Sequence, residues 1–366
     1  MAPEQEAYIG KPKNAVDTPA LLLDVERLER NLARMAEFFA PLPCQLRPHA
    51  KTHKCVEIAR RQIAHGAIGI TCAKLSEAEV MARGGIEDIL VANQVVGRAK
   101  VERAARLARR CRLTVAVDAA ANVRELAEAA RAHRARLGVL VEVNVGMDRC
   151  GVEGPEEAVA LAQEVVRKRE LELRGLMGYE GHAVFIEDAA ARREAAEQAM
   201  ARLLAVCDAM VRAGLPVPVV SAGGTGTYDI TGRIPGITEI QCGSYCVMDA
   251  RYRRLVPEFE CALTALTTVI SRPTRERLVL DIGRKSVGSD FGMPEPCGRS
   301  DFEVVGLAEE HGKARVLADA PLAPGQKVEL LPGHCCTTIA LHDWFYVVRG
   351  GIVEAVWPIQ ARGKFQ

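Results

Sequence analysis

From Ala20 onward the chain repeats one pattern: a short apolar block, a polar turn, then a longer stretch with apolar residues at three- and four-residue spacing. That pattern predicts a strand at Ala20–Asp24 and an amphipathic helix over Val25–Phe39. Further strands are expected at Cys44–His49, Ile68–Ala73, Asp88–Asn93, Leu113–Asp118, Leu137–Gly146, Leu171–Tyr179, Val217–Gly223 and Thr238–Tyr245. Stretches rich in Ala, Leu, Arg and Glu lie between most of them, including Arg98–Arg110, Ala121–Arg136, Glu156–Arg169 and Asp188–Ala213. Continuous apolar strands joined by helical crossovers mean a parallel sheet covered on its outside. Eight such units over about 200 residues match a closed (β/α)8 TIM barrel better than an open doubly wound sheet.

After about residue 255 the texture changes. Helical runs stop, and short β-rich segments appear at Cys261–Ser271, Arg277–Ile282, Glu303–Glu309, Lys327–Leu331, Trp344–Arg349 and Ile352–Trp357. Turn-formers such as Pro324-Gly325 and Gly350-Gly351 separate them. The expected organisation is α/β: an arm and strand over 1–25 associated with the β domain, a barrel over 26–254, and a C-terminal antiparallel β domain over 255–366.

Composition narrows the function classes. Apolar residues make up 49% of the 366 and charged residues 26%, so an ordinary core is available. Lys plus Arg number 48 against 47 for Asp plus Glu, a net charge of +1. Without excess positive charge to displace counterions, a nucleic-acid role is disfavoured. No apolar run approaches the roughly 18–20 residues of a membrane span. The N-terminus lacks the basic-then-apolar pattern of a secretory signal. The 12 cysteines include no C-x-x-C pair, and several lie in apolar stretches as small core residues. A reducing cytoplasm is the expected location.

In such barrels the reactive groups gather where the strands end, because the βα loops there form one face. The residues falling at those ends are Lys51, Asn93-Gln94, Asp118, Asn144 to Arg149, Tyr179 to His182, Ser221 to Thr227 and Gln241 to Tyr245. Lys51 sits in Arg47-Pro48-His49-Ala50-Lys51-Thr52-His53, where a buried strand gives way to a loop. Lost solvation, with like charge from Arg47, His49, His53 and Lys54, would lower its pKa and make it a carbonyl-capturing amine. By itself the same segment also fits a basic strand end facing water. Ser221-Ala-Gly-Gly-Thr225-Gly-Thr227 and Gln241-Cys-Gly243-Ser244-Tyr245 follow the last two barrel strands, the usual phosphate position of these barrels. Glycines there let backbone N–H groups approach an anion. A lysine facing a phosphate cradle suggests pyridoxal 5'-phosphate held as a Schiff base.

These motifs, with Thr18-Pro19-Ala20, Gly178-Tyr179-Glu180-Gly181-His182, the Asp281–Pro294 stretch and Pro332-Gly333-His334-Cys335-Cys336, carry a resemblance over nearly the whole chain. The sequence resembles the alanine-racemase-like, fold-type III family of pyridoxal phosphate enzymes, in the branch of D-threonine aldolases and D-serine dehydratases. Its C-terminal tail looks most like the 3-hydroxy-D-aspartate aldolases, which release glycine and glyoxylate. The resemblance implies Lys51 as the Schiff-base lysine, with cofactor contacts from Gln94, Ser221, Gly224, Thr225, Gly243, Ser244 and Tyr252. It implies Arg149 near the pyridine ring and Tyr179 beside cofactor and substrate. His182, from its place on the loop after the sixth barrel strand, is the candidate base of retro-aldol cleavage, and a hydrogen-bonded structural histidine fits it equally well. His334 and Cys336 are implied as ligands of a divalent metal (Mg, Mn, Co or Zn). A homodimer is implied as well.

Two residues apart on a strand, His334 and Cys336 would share a face, with Cys335 turned away. Threonine aldolases of the branch tend to carry His-x-Asp here and dehydratases His-x-Cys, so the cysteine favours a softer metal and leaves dehydration open. Arg284 or Lys285 is available for a second substrate carboxylate, and His342-Asp343 is either a surface turn or part of the site. The readings are an aldolase of a D-3-hydroxy amino acid, a dehydratase of D-serine or D-threo-3-hydroxyaspartate, a D-threonine aldolase, and, least favoured, a non-catalytic pyridoxal phosphate carrier.

Overall fold

The computed structural model describes residues 4–366. The chain forms two compact units. The first strand, β1 (Ala20–Asp24), belongs to the unit built from residues up to Arg34, Thr52–Glu57 and Ser244–Gly363. The other unit, Met35–Lys51, Ile58–Gly243 and Lys364–Gln366, is the barrel.

Eight parallel strands make the barrel: β2 (Gln45–Leu46), β3 (Ile70–Cys72), β4 (Asp88–Gln94), β5 (Arg112–Val117), β6 (Leu137–Glu142), β7 (Leu171–Met177), β8 (Val219–Ala222) and β9 (Glu239–Ile240). They pair in the order β2-β9-β8-β7-β6-β5-β4-β3. The ring closes where His49 bridges Thr71 in parallel; Ala50 N–H donates to the Thr71 carbonyl and Thr71 N–H to that of Pro48, both at 2.8 Å. Every residue of β6 is buried, as a strand covered on both faces requires. Leu90, Ala116, Leu140 and Met177, one from each of β4 to β7, form a buried cluster. Helices lie between most strands, at Val56–Ala64, Leu75–Arg83, Arg98–Leu107, Ala120–Ala132, Pro155–Val166 and Ala189–Arg212. The eight-unit count from apolar spacing therefore matches the fold.

In the other unit β1 shares a sheet with β10 (Leu263–Thr274), β11 (Arg277–Leu280), β12 (Glu295–Pro296), β13 (Phe302–Leu307), β14 (Gly312–Val316), β15 (Lys327–Leu331), β16 (Trp344–Arg349) and β17 (Ile352–Pro358). The sheet order is β13-β14-β11-β10-β1-β16-β17, with β15 on β10 and β12 on β15. All pairs are antiparallel except β1 with β16. β12 and β14 carry too little apolar alternation to be read from the sequence. Thr52–Glu57 joins this unit through Ala361 N–H to the Lys54 carbonyl at 2.9 Å and Val56 N–H to Gln360 at 3.0 Å. No helix is long and apolar enough among the described residues to cross a membrane.

Candidate active site

In the barrel unit, Lys51 and Arg149 flank one aromatic ring. Lys51 Nζ lies 5.6 Å from the Tyr179 ring centroid and the Arg149 guanidinium 5.7 Å from it. Lys51 and Tyr179 are half-buried and Arg149 is exposed. Arg149 Nη2 is 3.7 Å from Glu142. Glu142 accepts Gln94 Nε2 at 2.6 Å, and Asp118 accepts the same nitrogen at 3.1 Å. Burial pushes the Glu142 carboxyl up, and it stays above the usual carboxylate range although Gln94 and Arg149 pull it down.

Arg47, one of the cations expected to press on Lys51, has charge partners of its own. It is buried, with Nε on Glu239 at 3.0 Å and Nη1 on Asp88 at 2.7 Å, so two carboxylates neutralise its charge. His49 Nδ1 faces the backbone N–H of Lys51 at 3.4 Å.

The Gly-rich loop after β8 is shaped by two contacts that glycine permits. Gly223 adopts a φ of +81°, and a Cβ on Gly226 would stand 2.0 Å from the Val184 carbonyl oxygen. A Cβ on Gly224 would press on the Tyr179 ring at 3.2 Å. Ser221 is buried and accepts Gln241 Nε2 at 2.8 Å; Thr225 is buried too. Glu180, to which sequence reasoning gave no role, accepts Gly223 N–H, Thr227 Oγ1 and Thr231 Oγ1. Its signal was its place in Gly178-Tyr179-Glu180-Gly181-His182. His182 is exposed on the loop after β7, beside the Gly146 turn.

In the β unit a second group assembles on a different backbone from the one expected. His334 is extended and caps a short helix, Cys335–Ile339, instead of lying in a strand. Helical geometry brings Cys335 into the group: the ligand atoms of His334, Cys335 and Cys336 all lie within 4.8 Å of one another. The Cys336 thiol donates to Thr52 Oγ1 at 3.3 Å and lies 3.8 Å from Ser244 Oγ. The Tyr252 ring centroid is 6.3 Å from that of His334. Ser244 and Tyr252, read from the sequence as cofactor contacts, are thus neighbours of the His-x-Cys pair.

Asp249 organises this group and went unnoticed in the sequence. Its Oδ2 meets His334 Nδ1 and accepts Cys335 N–H, both at 3.0 Å. Its Oδ1 accepts the N–H of Arg251 at 3.1 Å and Tyr252 at 2.8 Å. Met248, just before it, is buried with a φ of +59°, a conformation that persists in a non-glycine residue only when its surroundings impose it. Burial disfavours the His334 imidazolium, but Cys336 and Asp249 overcome it and raise the pKa to about 10. A buried imidazole and a half-buried thiol, with a carboxylate behind the imidazole, are the donor set of a soft or borderline divalent metal.

Other candidates fall outside both groups. Lys285 pairs with Glu309 at 3.2 Å and Glu310 at 2.8 Å, and Arg284 is exposed. His342 Nε2 meets the Ser286 carbonyl at 2.7 Å, and Asp343 pairs with Arg362.

The chain thus has a parallel barrel carrying a lysine, an arginine and a glycine-rich turn, and a β unit carrying a His-x-Cys pair. The family described as alanine racemase, N-terminal domain, matches residues 23–250, and the putative serine dehydratase domain matches residues 262–348. The chain belongs to the alanine-racemase-like, fold-type III family of pyridoxal phosphate enzymes. It is 37% identical over 369 residues to the 3-hydroxy-D-aspartate aldolase of Paracoccus denitrificans (strain Pd 1222), covering 98% of this chain and 95% of the relative. It is 39% identical over 364 residues to the D-threonine aldolase of an Arthrobacter species, covering 98% and 96%. The crystal structure of D-threonine aldolase from Filomicrobium marinum superposes with a TM-score of 0.96 at 40% identity, covering 98% of this chain and 99% of that one.

Proposed function

We propose that this protein is a lyase that cleaves a D-3-hydroxy amino acid, 3-hydroxy-D-aspartate first among them, to glycine and an aldehyde by breaking Cα–Cβ. The reading rests on the placement of Lys51 and Arg149 about the Tyr179 ring, in the unit that also carries the Ser221–Thr227 turn. Similarity to a 3-hydroxy-D-aspartate aldolase over 98% of the chain supports the choice of substrate. The buried hydroxyl residues Ser221 and Thr225 in a glycine-rich turn fit a phosphate-bearing group, and buried His334 with half-buried Cys336 fits a divalent metal. When bound, the cofactor would act as an electron sink for the substrate's Cα, and the metal would acidify the β-hydroxyl.

The chain's own residues divide the remaining work. Lys51 would hold the cofactor through its amine, and Tyr179 would offer an aromatic face to it. Arg149, permanently charged and without an acceptor, can donate to a ring nitrogen without protonating it. Gln94 is held by Glu142 and Asp118. Ser221, Gly224, Thr225 and Gly243 would cradle the phosphate. His334 and Cys336 would hold the metal, with Ser244 and Tyr252 packed about them. Asp249, facing Nδ1, leaves His334 Nε2 as the ligating atom.

The fate of the substrate turns on which proton is taken. Removal of the hydroxyl proton, for which His182 is our candidate base, releases an aldehyde and glycine. Removal of the Cα proton by Lys51 with loss of the β-hydroxyl as water leaves an enamine, and water then hydrolyses its imine tautomer to a keto acid and ammonia. Cys336 keeps that second, dehydratase reading in play, because His-x-Cys is the dehydratase pattern.

We further propose a homodimer in a reducing cytoplasm, consistent with twelve free cysteines. Incubation with 3-hydroxy-D-aspartate and product identification tests the main reading. Glyoxylate and glycine support it; oxaloacetate and ammonia replace it with the dehydratase.

A further inference from the structure

The Gly223–Thr231 segment has a single carboxylate behind it. Glu180 is completely buried and receives three donors from that segment. Gly223 N–H reaches Oε2 at 3.1 Å, while the hydroxyls of Thr227 and Thr231 reach Oε1 at 2.7 and 2.6 Å. Thr227 Oγ1 in turn accepts Gly224 N–H at 3.3 Å. One side chain thus fixes the start of the turn, its end, and the short helix Tyr228–Thr231 that follows.

Neighbouring residues in Gly178-Tyr179-Glu180 take different partners. Tyr179 turns to Lys51 and Arg149, and Glu180 turns under the Gly-rich loop. Hydrogen bonds to a buried carboxylate are charge-assisted and hold geometry more tightly than neutral ones. A glycine-rich loop has the most conformational freedom to lose and gains most from such an anchor.

We propose that Glu180 is a positioning residue that preshapes the Ser221–Thr227 turn for the phosphate of the cofactor, touching neither cofactor nor substrate. This rests on the assignment of that turn to the phosphate in the proposed function. It makes the acid at 180 a determinant of discrimination between pyridoxal 5'-phosphate and its dephosphorylated form, pyridoxal. A merely structural role would weaken both ligands alike.

The test compares binding of the two ligands to the full-length chain stripped of cofactor with hydroxylamine, followed by visible absorbance. Wild type is expected to prefer the phosphorylated ligand. Glu180→Ala should cut that preference by roughly ten- to hundredfold, the scale of losing a hydrogen-bonded charged group, while pyridoxal affinity stays put. Thr227→Val and Thr231→Val each remove one hydroxyl and keep the carboxylate, so they read the same ratio if Glu180→Ala does not fold. Thr227→Val should show the larger loss, since it also releases Gly224 N–H. Preference unchanged in these variants, or both ligands weakened in parallel, would overturn the proposal. A wild type indifferent to the phosphate would instead overturn the assignment of the turn itself, and the proposal with it.

Discussion

Asp249 Oδ2 and His334 Nδ1 lie 3.0 Å apart in a buried pair, and the same oxygen takes the Cys335 N–H. Every acceptor position of this carboxylate faces a donor, so an amide in its place must aim its NH2 at another N–H. Asp249→Asn should also disturb the ring tautomer that leaves Nε2 free to ligate. Metal affinity is expected to fall about ten- to hundredfold, the usual effect of losing such a partner. Chelator competition measures it; an unaltered affinity in a folded variant would show that the carboxylate does not orient the ligand.

Chelation should abolish activity, and the metal that restores it should follow the ligand at 336. Thiolate favours zinc or another soft ion, whereas a carboxylate favours magnesium or manganese. Cys336→Asp is therefore expected to move the best restoring ion from zinc toward magnesium or manganese. Full activity in excess chelator would remove His334 and Cys336 from the mechanism.

Glu142 makes a prediction about pH. Burial raises its carboxyl above the ordinary value of 4.5 despite the opposing pull of Gln94 and Arg149, with Asp118 adding to the rise. A group that holds its proton better when folded contributes fully below the unfolded pKa and loses that contribution as pH climbs through the folded one. Glu142→Gln removes this dependence, so the variant should gain on wild type as pH rises from about 4.5 toward neutrality. Urea midpoints across that range check the slope; a constant difference would contradict it.

Arg47 is expected to matter for stability rather than chemistry. It is 6% exposed and bonds both Asp88 and Glu239, so Arg47→Ala leaves the buried Glu239 without this partner, while Asp88 keeps Arg112 at 3.0 Å. Breaking a buried pair this way costs about 3–5 kcal/mol. Denaturant unfolding should show that loss, with the cofactor's absorbance band retained in the folded fraction.

Much of the fold was legible because the barrel strands are buried on both faces. β6 is buried throughout and β4 carries the apolar run Ile89 to Ala92, and the spacing of such blocks counts the barrel units. Lys51, Tyr179 and the Gly-rich turn could be located because barrels put their reactive groups at strand ends. The β unit was less readable. β14 offers only Ala314 and Val316 as apolar positions, and β12 is two residues long. Cys335 was misplaced because a two-residue period was assumed where the chain turns helical.

Local spacing by itself determined the alternation of strands and helices, the change of texture near residue 255, and which short segments fall at the ends of barrel strands. Those are properties of neighbouring residues, and periodicity records them. Only the tertiary structure decided that Arg47 is neutralised by residues 41 and 192 positions away, that Glu180 lies under a turn 43 to 51 positions on, and that Asp249 braces His334 across 85. A buried carboxylate is placed by the donors that reach it, and those donors come together only when distant segments pack.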